Sequence, residues 1–290
     1  MRYNSGVTTR QTALNDAATQ FIRAGIVPND ARAEAAILLR HVTGASREEL
    51  FLRPHTVLDD ADAEAFADLV ARRAAREPLA YLVGTRDFYG LRFAVTPDVL
   101  IPRPETEGVV EQIVAANPET VLDLCTGSGA IAVAVAVALP AAHVWATDIS
   151  DAALVVAKQN ADRHGVAERL TFLAGDLFKP IPNGLRFAVI AANPPYIAPE
   201  TVETLEPEVK NYEPRIALGV HSDALHFYRR IAGESAAFLT ENGRVVVEVG
   251  YGQADAVREL FADAGFADVE TFADLAGIPR VIVAKRKKGA

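Results

Sequence analysis

The run Val121-Leu122-Asp123-Leu124-Cys125-Thr126-Gly127-Ser128-Gly129-Ala130-Ile131 sets an apolar strand, a glycine-bearing turn and the start of an Ala/Val-rich helix in direct succession. Glycines in such a turn let the backbone approach a ligand closely, and small side chains after it let the helix sit tight on the sheet. From Thr120 onward, short apolar runs alternate with helical segments, the habit of a mostly parallel sheet covered by helices on both faces. The pattern predicts strands over 121–124, 143–147, 170–174, 187–191 and 244–249. Residues 269–272 and 280–284, flanking Gly277-Ile278-Pro279, read as an antiparallel hairpin that closes the sheet.

A different texture precedes this region. Residues 9–76 carry helical apolar spacing broken at Gly25, Gly44 and Pro54, and Ser46-Arg47-Glu48-Glu49 fits a capping box before Leu50. A bundle of four or five helices is expected over 1–78. Between Leu79 and Pro104, the residues Tyr81, Val83, Phe88, Tyr89, Phe93 and Val95, punctuated by Gly84, Gly90 and Pro97, suggest hairpin strands in a connector over 79–104. The α/β domain then fills 105–290. A chain of 290 residues is long enough for two cores of this kind.

Composition narrows the partners. A net charge of -9 disfavours broad binding to nucleic-acid phosphates, which relies on Lys and Arg. Cys125 is the only cysteine, so no internal disulfide is possible, a thiol-ligated metal site is not expected, and a reducing cytoplasm fits. Neither the Met1–Gly6 stretch nor any later run has the apolar length of a signal peptide or membrane span, and a soluble protein is expected. Lys285-Arg286-Lys287-Lys288 reads as a solvated tail.

The second predicted strand of the α/β region ends at Asp148, 19 positions after Gly129, where a carboxylate can accept hydrogen bonds from both ribose hydroxyls. A strand, turn and helix with two glycines also occurs as plain packing, and Asp148 favours the ligand. A pyrophosphate cofactor wants a third spaced glycine, whereas Ala130-Ile131-Ala132 follows here, so an adenosine cofactor without pyrophosphate fits better. Cys125, Thr126, Gly127, Ser128 and Gly129 would form its cradle. Asp176 is placed to take the adenine amino group and Leu177 to pack on the ring, both at the carboxyl end of a predicted strand; a solvated loop Asp is the plain alternative.

The acceptor end is Asn193-Pro194-Pro195-Tyr196, directly after the apolar run 187–192. Two prolines donate no backbone hydrogen bond and hold the segment stiffly extended, leaving the Asn193 side-chain oxygen and the Pro194 carbonyl as free acceptors. A planar NH2 group can donate to both. Such a nitrogen is a poor nucleophile because its lone pair is delocalised, so it must be oriented and its developing charge stabilised. Tyr196 offers a flat face for the acceptor, and Asn193 also borders the cofactor. A turn-forming Pro-Pro behind a cap-like Asn is the alternative.

Residues 81–285 resemble, segment by segment, the bacterial peptide chain release factor glutamine N5-methyltransferases. The matching pieces are Gly84-Thr85-Arg86-Asp87-Phe88-Tyr89-Gly90, Leu100-Ile101-Pro102-Arg103-Pro104-Glu105-Thr106-Glu107, the glycine turn, Asp148, Asn193 to Tyr196, Tyr212-Glu213-Pro214-Arg215 and Glu248-Val249-Gly250. The resemblance implies a class I, Rossmann-like fold that uses S-adenosyl-L-methionine, with a seven-stranded, mostly parallel sheet and a C-terminal antiparallel hairpin. It also implies methylation of the glutamine in the Gly-Gly-Gln loop of class I translation release factors. It assigns the glycine turn, Asp148 and Leu177 to the cofactor and Asn-Pro-Pro-Tyr to the glutamine amide. Cys125 stands where the family usually has its first glycine; the side chain is expected to point away from the cofactor, and otherwise affinity would suffer. Arg103, Glu105, Thr106 and Glu107 form a Pro-bracketed charged cluster that either contacts a ligand or is an exposed linker.

Three other readings share some of these features. A sister enzyme acting on a glutamine of a ribosomal large-subunit protein would keep the whole site. DNA adenine methyltransferases also carry Asn-Pro-Pro-Tyr, but they need a basic DNA-reading surface. A cofactor-binding scaffold without catalysis would not need both acceptor oxygens and Tyr196.

Overall fold

Thr9 opens the first helix through a reciprocal cap: its hydroxyl accepts from the Thr12 N–H at 3.3 Å, and the Thr12 hydroxyl oxygen accepts from the Thr9 N–H at 2.9 Å. The computed structural model describes residues 8–219 and 221–287; Met1–Gly6 and Lys288, on which two expectations above rest, lie outside the described residues. The chain divides into two compact units. One extends to Gly84 and takes in Glu206–Tyr212, and the other holds Thr85–Leu205 and the chain from Glu213 onward. No helix among the described residues is long and apolar enough to cross a membrane.

In the first unit, helices α1 (Arg10–Arg23), α2 (Pro28–Thr43), α3 (Arg47–Leu52), α4 (Asp60–Ala74) and α5 (Leu79–Val83) surround a core of Phe21, Leu38, Leu39, Phe66 and Val70. Ala13, Ala17 and Phe21 recur at four-residue spacing and put one face of α1 inside. The capping box before α3 forms as its sequence predicts, with Ser46 Oγ and Glu49 Oε2 each accepting from the other's backbone N–H, at 3.1 and 2.8 Å. Tyr81 and Val83 correct the expectation of strands, because both lie in helix α5. Pro78 cannot continue α4 but starts a new turn, its carbonyl accepting from the N–H groups of Tyr81 and Leu82, and Leu82 then packs into the bundle core. Gly84, at φ 72°, ends that helix in the left-handed region.

An ion-pair network lies inside this unit. Arg73, only 4% exposed, donates from Nε to Glu34 at 2.7 Å and from Nη1 to Glu208 at 2.9 Å. Arg76 forks onto both Glu208 oxygens at 2.6 Å each. Burial works against the Glu208 charge, but the hydrogen bond from Arg76, those from its own backbone N–H and from Arg73, and the Arg73 charge outweigh it and hold the carboxyl below the usual carboxylate range. A depressed carboxylate stabilises the fold above its unfolded pKa and loses that contribution as pH falls through the folded value. Glu208→Ala is therefore expected to cost this unit about 1–3 kcal/mol at neutral pH. Thermal melts should show a gap between the variant and the parent that narrows on acidification through the carboxylate range.

The second unit begins with the hairpin β1 (Thr85–Phe88) and β2 (Leu91–Ala94), turned by Tyr89 and Gly90 at φ 50° and 71°. There follow α6 (Glu107–Ala116), β3 (Thr120–Leu124), α7 (Ala130–Ala138), β4 (His143–Asp148), α8 (Asp151–Arg163), β5 (Leu170–Ala174) and β6 (Phe187–Ala192). After short helical turns come α9 (His226–Ser235), β7 (Leu239–Glu248), α10 (Ala254–Asp263), β8 (Ala267–Ala273) and β9 (Pro279–Lys285). The seven strands run in the order β5-β4-β3-β6-β7-β9-β8, parallel up to β7, with β9 antiparallel to both its neighbours. This is the mostly parallel sheet with a closing antiparallel hairpin that the sequence predicts.

Strand alternation divides the buried residues between the two faces. Val121, Val189 and Val246 pack with α6 and α7, whereas Leu122, Leu124, Ile190, Val245 and Val247 pack with α9 and α10. The chain steps outward from β3 through β4 to β5, then returns to β6 on the other side of β3. Such a reversal leaves a crevice at the carboxyl ends of the strands.

Candidate active site

A cavity of about 350 Å³ lies there, within the size range of small-ligand sites. Cys125, Thr126, Gly127, Ser128, Asp148, Asp176, Leu177, Asn193 and Pro195 line it. Gly129, Pro194 and Tyr196, also expected at the site, are not in its lining; Gly129 starts α7 and Tyr196 is tied into a neighbouring hydrogen-bond network.

The glycine turn owes its shape to alternating left-handed residues, with φ 58° at Cys125, 55° at Gly127 and 79° at Gly129. An added Cβ on Gly129 would stand 3.1 Å from the Ala157 Cβ and 3.2 Å from its Cα, so glycine here sets how closely α7 and α8 approach. Cys125 adopts the backbone of its missing glycine, and its side chain packs beside the Leu122 and Leu124 cluster while still bordering the cavity. Burial pushes its thiol pKa up, which makes it a poor thiolate nucleophile. Asp123 lies fully buried beneath the turn and accepts the Thr126 hydroxyl proton at 2.6 Å. Burial pushes its carboxyl up to about 7.

Asp148 ties the turn to the next strand. One oxygen accepts from the Gly127 N–H at 2.8 Å and the other from the Ser150 N–H at 2.9 Å. Each oxygen keeps a further lone pair for a ligand hydroxyl. Burial raises its pKa, and these backbone donors partly offset the rise. Asp176 is more committed than the sequence implies: Arg230 forks onto it at 2.7 and 3.1 Å, and Lys179 adds a contact at 2.8 Å. The Arg230 hydrogen bond holds its carboxyl below the usual range. Leu177 is buried beside it at φ 49°.

At the other end, the Asn193 Nδ2 donates to Thr106 Oγ1 at 3.2 Å, and Thr106 donates to the Glu248 carboxylate at 2.5 Å. Tyr196 donates its hydroxyl to the second Glu248 oxygen at 3.0 Å, and its carbonyl accepts from Gln253 Nε2 at 3.0 Å. Burial and the Glu248 charge raise the Tyr196 pKa, so it stays a protonated donor. Arg103 pairs with buried Glu213, which also accepts from the Ile101 N–H at 3.2 Å. The expected charged cluster is thus partly interior: Thr106 is buried, and Arg103 and Thr106 line the cavity, whereas Glu107 instead caps the Tyr89 N–H at 2.7 Å.

Sequence reasoning missed several supporting residues. Buried Asn160 donates to Ser128 O at 2.9 Å and to Ala94 O at 3.0 Å, and accepts from the Ala94 N–H at 2.7 Å, joining the glycine turn to β2. His221, His226 and Arg230 line the cavity from a segment without a recognisable motif. An Asn in step with Val156 and Ala157 on the apolar face of α8 is the one local signal that singles out Asn160.

Known proteins match both parts of the chain. Residues 12–84 match the family model described as PrmC N-terminal domain, and residues 105–206 match the one described as Methyltransferase small domain. The release factor glutamine methyltransferase of Geobacter sulfurreducens is 45% identical over 255 residues, covering 87% of this chain and 89% of that one. Its counterpart in Burkholderia pseudomallei is 47% identical over 272 residues, covering 91% and 94%. A methyltransferase structure from Pyrococcus furiosus aligns over 68% of this chain and 89% of its own with a TM-score of 0.52 at 17% identity, a likeness of fold alone.

Proposed function

The chain belongs to the family of release factor glutamine methyltransferases, and on that premise we propose that it methylates the side-chain nitrogen of the Gly-Gly-Gln glutamine in class I peptide chain release factors. S-adenosyl-L-methionine, when bound, supplies a methyl group made electrophilic by its sulfonium. The cavity fits the adenosine part of such a group: a glycine turn allows close approach, Asp148 keeps lone pairs for ribose hydroxyls, and Leu177 offers an apolar surface. Asp176, already paired with Arg230, contributes to the adenine end through its remaining lone pairs.

The single observation that carries the acceptor assignment is Asn193, bordering this cavity with its NH2 engaged by Thr106. Its Oδ1 and the Pro194 carbonyl accept the two amide protons of the glutamine and hold the nitrogen in plane toward the methyl donor. Positive charge developing on the nitrogen as it takes the methyl group would be met by these two oxygens. The proton then leaves to water, because the alkylated amide is acidic. Tyr196 and Pro195 flank the acceptor.

The helical N-terminal unit grips the release factor outside its glutamine loop. The protein works in the cytoplasm without direct nucleic-acid contact, a reading supported by its net charge of -9. The names of the relatives favour release factors over a ribosomal glutamine. Incubating the protein with labelled S-adenosylmethionine and a class I release factor should transfer label to the native factor and none to a factor whose Gly-Gly-Gln glutamine is replaced by Ala; equal labelling of both would refute the assignment.

Asp148→Ala is expected to weaken S-adenosylmethionine binding about 10- to 100-fold, the loss of charge-assisted hydrogen bonds. Calorimetric titration checks this, and unchanged affinity would remove Asp148 from the ribose.

A further inference from the structure

We propose that Thr106 and Glu248 are positioning residues that fix which end of the Asn193 side-chain amide faces the reaction. This rests on the reading of Asn193 as the acceptor-amide ligand. Glu248 ends β7 at 2% exposure, with one oxygen engaged by the Thr106 hydroxyl at 2.5 Å and the other by the Tyr196 hydroxyl at 3.0 Å. A carboxylate only accepts, so both hydroxyls must spend their single proton on it.

Having given its proton to Glu248, Thr106 Oγ1 has only lone pairs left for Asn193, 3.2 Å away. A donor must face it. The Asn193 NH2 is therefore held against Thr106, and Oδ1 is turned away from it. Which way an asparagine amide points is ordinarily open to either assignment, and here the order of donors decides it. With the amide reversed, two acceptors would face each other at Thr106, and an NH2 would meet the NH2 of the substrate. The same carboxylate fixes Tyr196 at the far end of the motif, so one buried group orients both ends of Asn193 to Tyr196. A buried carboxylate costs desolvation unless it is fully hydrogen-bonded, and these two hydroxyls supply what it needs.

The direct test compares Thr106→Val, which removes the hydroxyl at nearly constant volume, with Thr106→Ser, which keeps it, alongside Asn193→Ala. Release-factor kinetics are read with calorimetric S-adenosylmethionine affinity. Thr106→Val is expected to lower kcat about 30- to 100-fold while KM for the release factor and cofactor affinity each stay within about twofold, and Thr106→Ser should restore most of the lost rate. Glu248→Gln, which can donate where the native side chain only accepts, should fall like Thr106→Val. If Thr106→Val kept the native kcat while Asn193→Ala was inactive, the positioning role would be wrong and the reading of Asn193 would stand. Equal damage in the Ser and Val variants would also overturn the proposal, pointing to packing in place of the hydroxyl. An active Asn193→Ala would remove both.

Discussion

Asn193→Ala is expected to lower kcat by about 10²–10³-fold, the scale found when one preorganised polar group is removed from a reacting centre. In the proposed mechanism, Asn193 supplies one of two oxygens that receive the glutamine NH2. Without it the nitrogen is held by the Pro194 carbonyl alone and can rotate away from the methyl donor. The loss should appear in kcat more than in KM, because most of the protein substrate binds elsewhere and the oxygen matters most as charge develops. Steady-state kinetics with an intact release factor would measure it. A variant with native kcat would sink the mechanism.

Gly219→Ala should be nearly as damaging for a different reason. A Cβ there would overlap the Ile197 carbonyl oxygen and stand 2.8 Å from its carbonyl carbon, both backbone atoms. The Ile197 N–H is meanwhile bound to Leu218 O at 3.0 Å, so neither strand of this crossing can yield without the other. Ile197 directly follows Tyr196, and its displacement drags the acceptor motif. A misplacement on the order of 1 Å costs about 10² in rate, and that is the expected fall in kcat. Circular dichroism should stay native in shape and cofactor affinity close to native, since the glycine turn and Asp148 are on other loops. Unimpaired turnover in Gly219→Ala would mean the segment after Tyr196 does not position the acceptor.

Local chemistry explains which features could be read from the chain. The turn at Gly127 and Gly129, the acid at Asp148 and the rigid Asn193 to Tyr196 motif each announce themselves within a few residues, because backbone freedom and strand ends are local properties. Helix α5 reads as strand in the sequence because Tyr81 and Val83 alternate around Leu82 in too short a run to distinguish period 2 from 3.6. The supports were invisible for another reason. Thr106 and Glu248 are 142 positions apart and Arg103 and Glu213 are 110 apart, and nothing in either neighbourhood marks the partner. Family resemblance brought Glu213 and Glu248 into view as motif members; only the tertiary structure gives them a task. Asp176 shows the converse, since its placement at a strand end suggested a free ligand and folding gave it Arg230.

The most direct measurement is tandem mass spectrometry of a class I release factor and of ribosomal proteins, each incubated with this protein and S-adenosylmethionine. A single methyl on the side chain of the Gly-Gly-Gln glutamine, with the ribosomal proteins unmodified, is the predicted result. A methyl on a ribosomal glutamine and none on the release factor would contradict it, keeping the chemistry of Asn193 but moving the enzyme to another substrate.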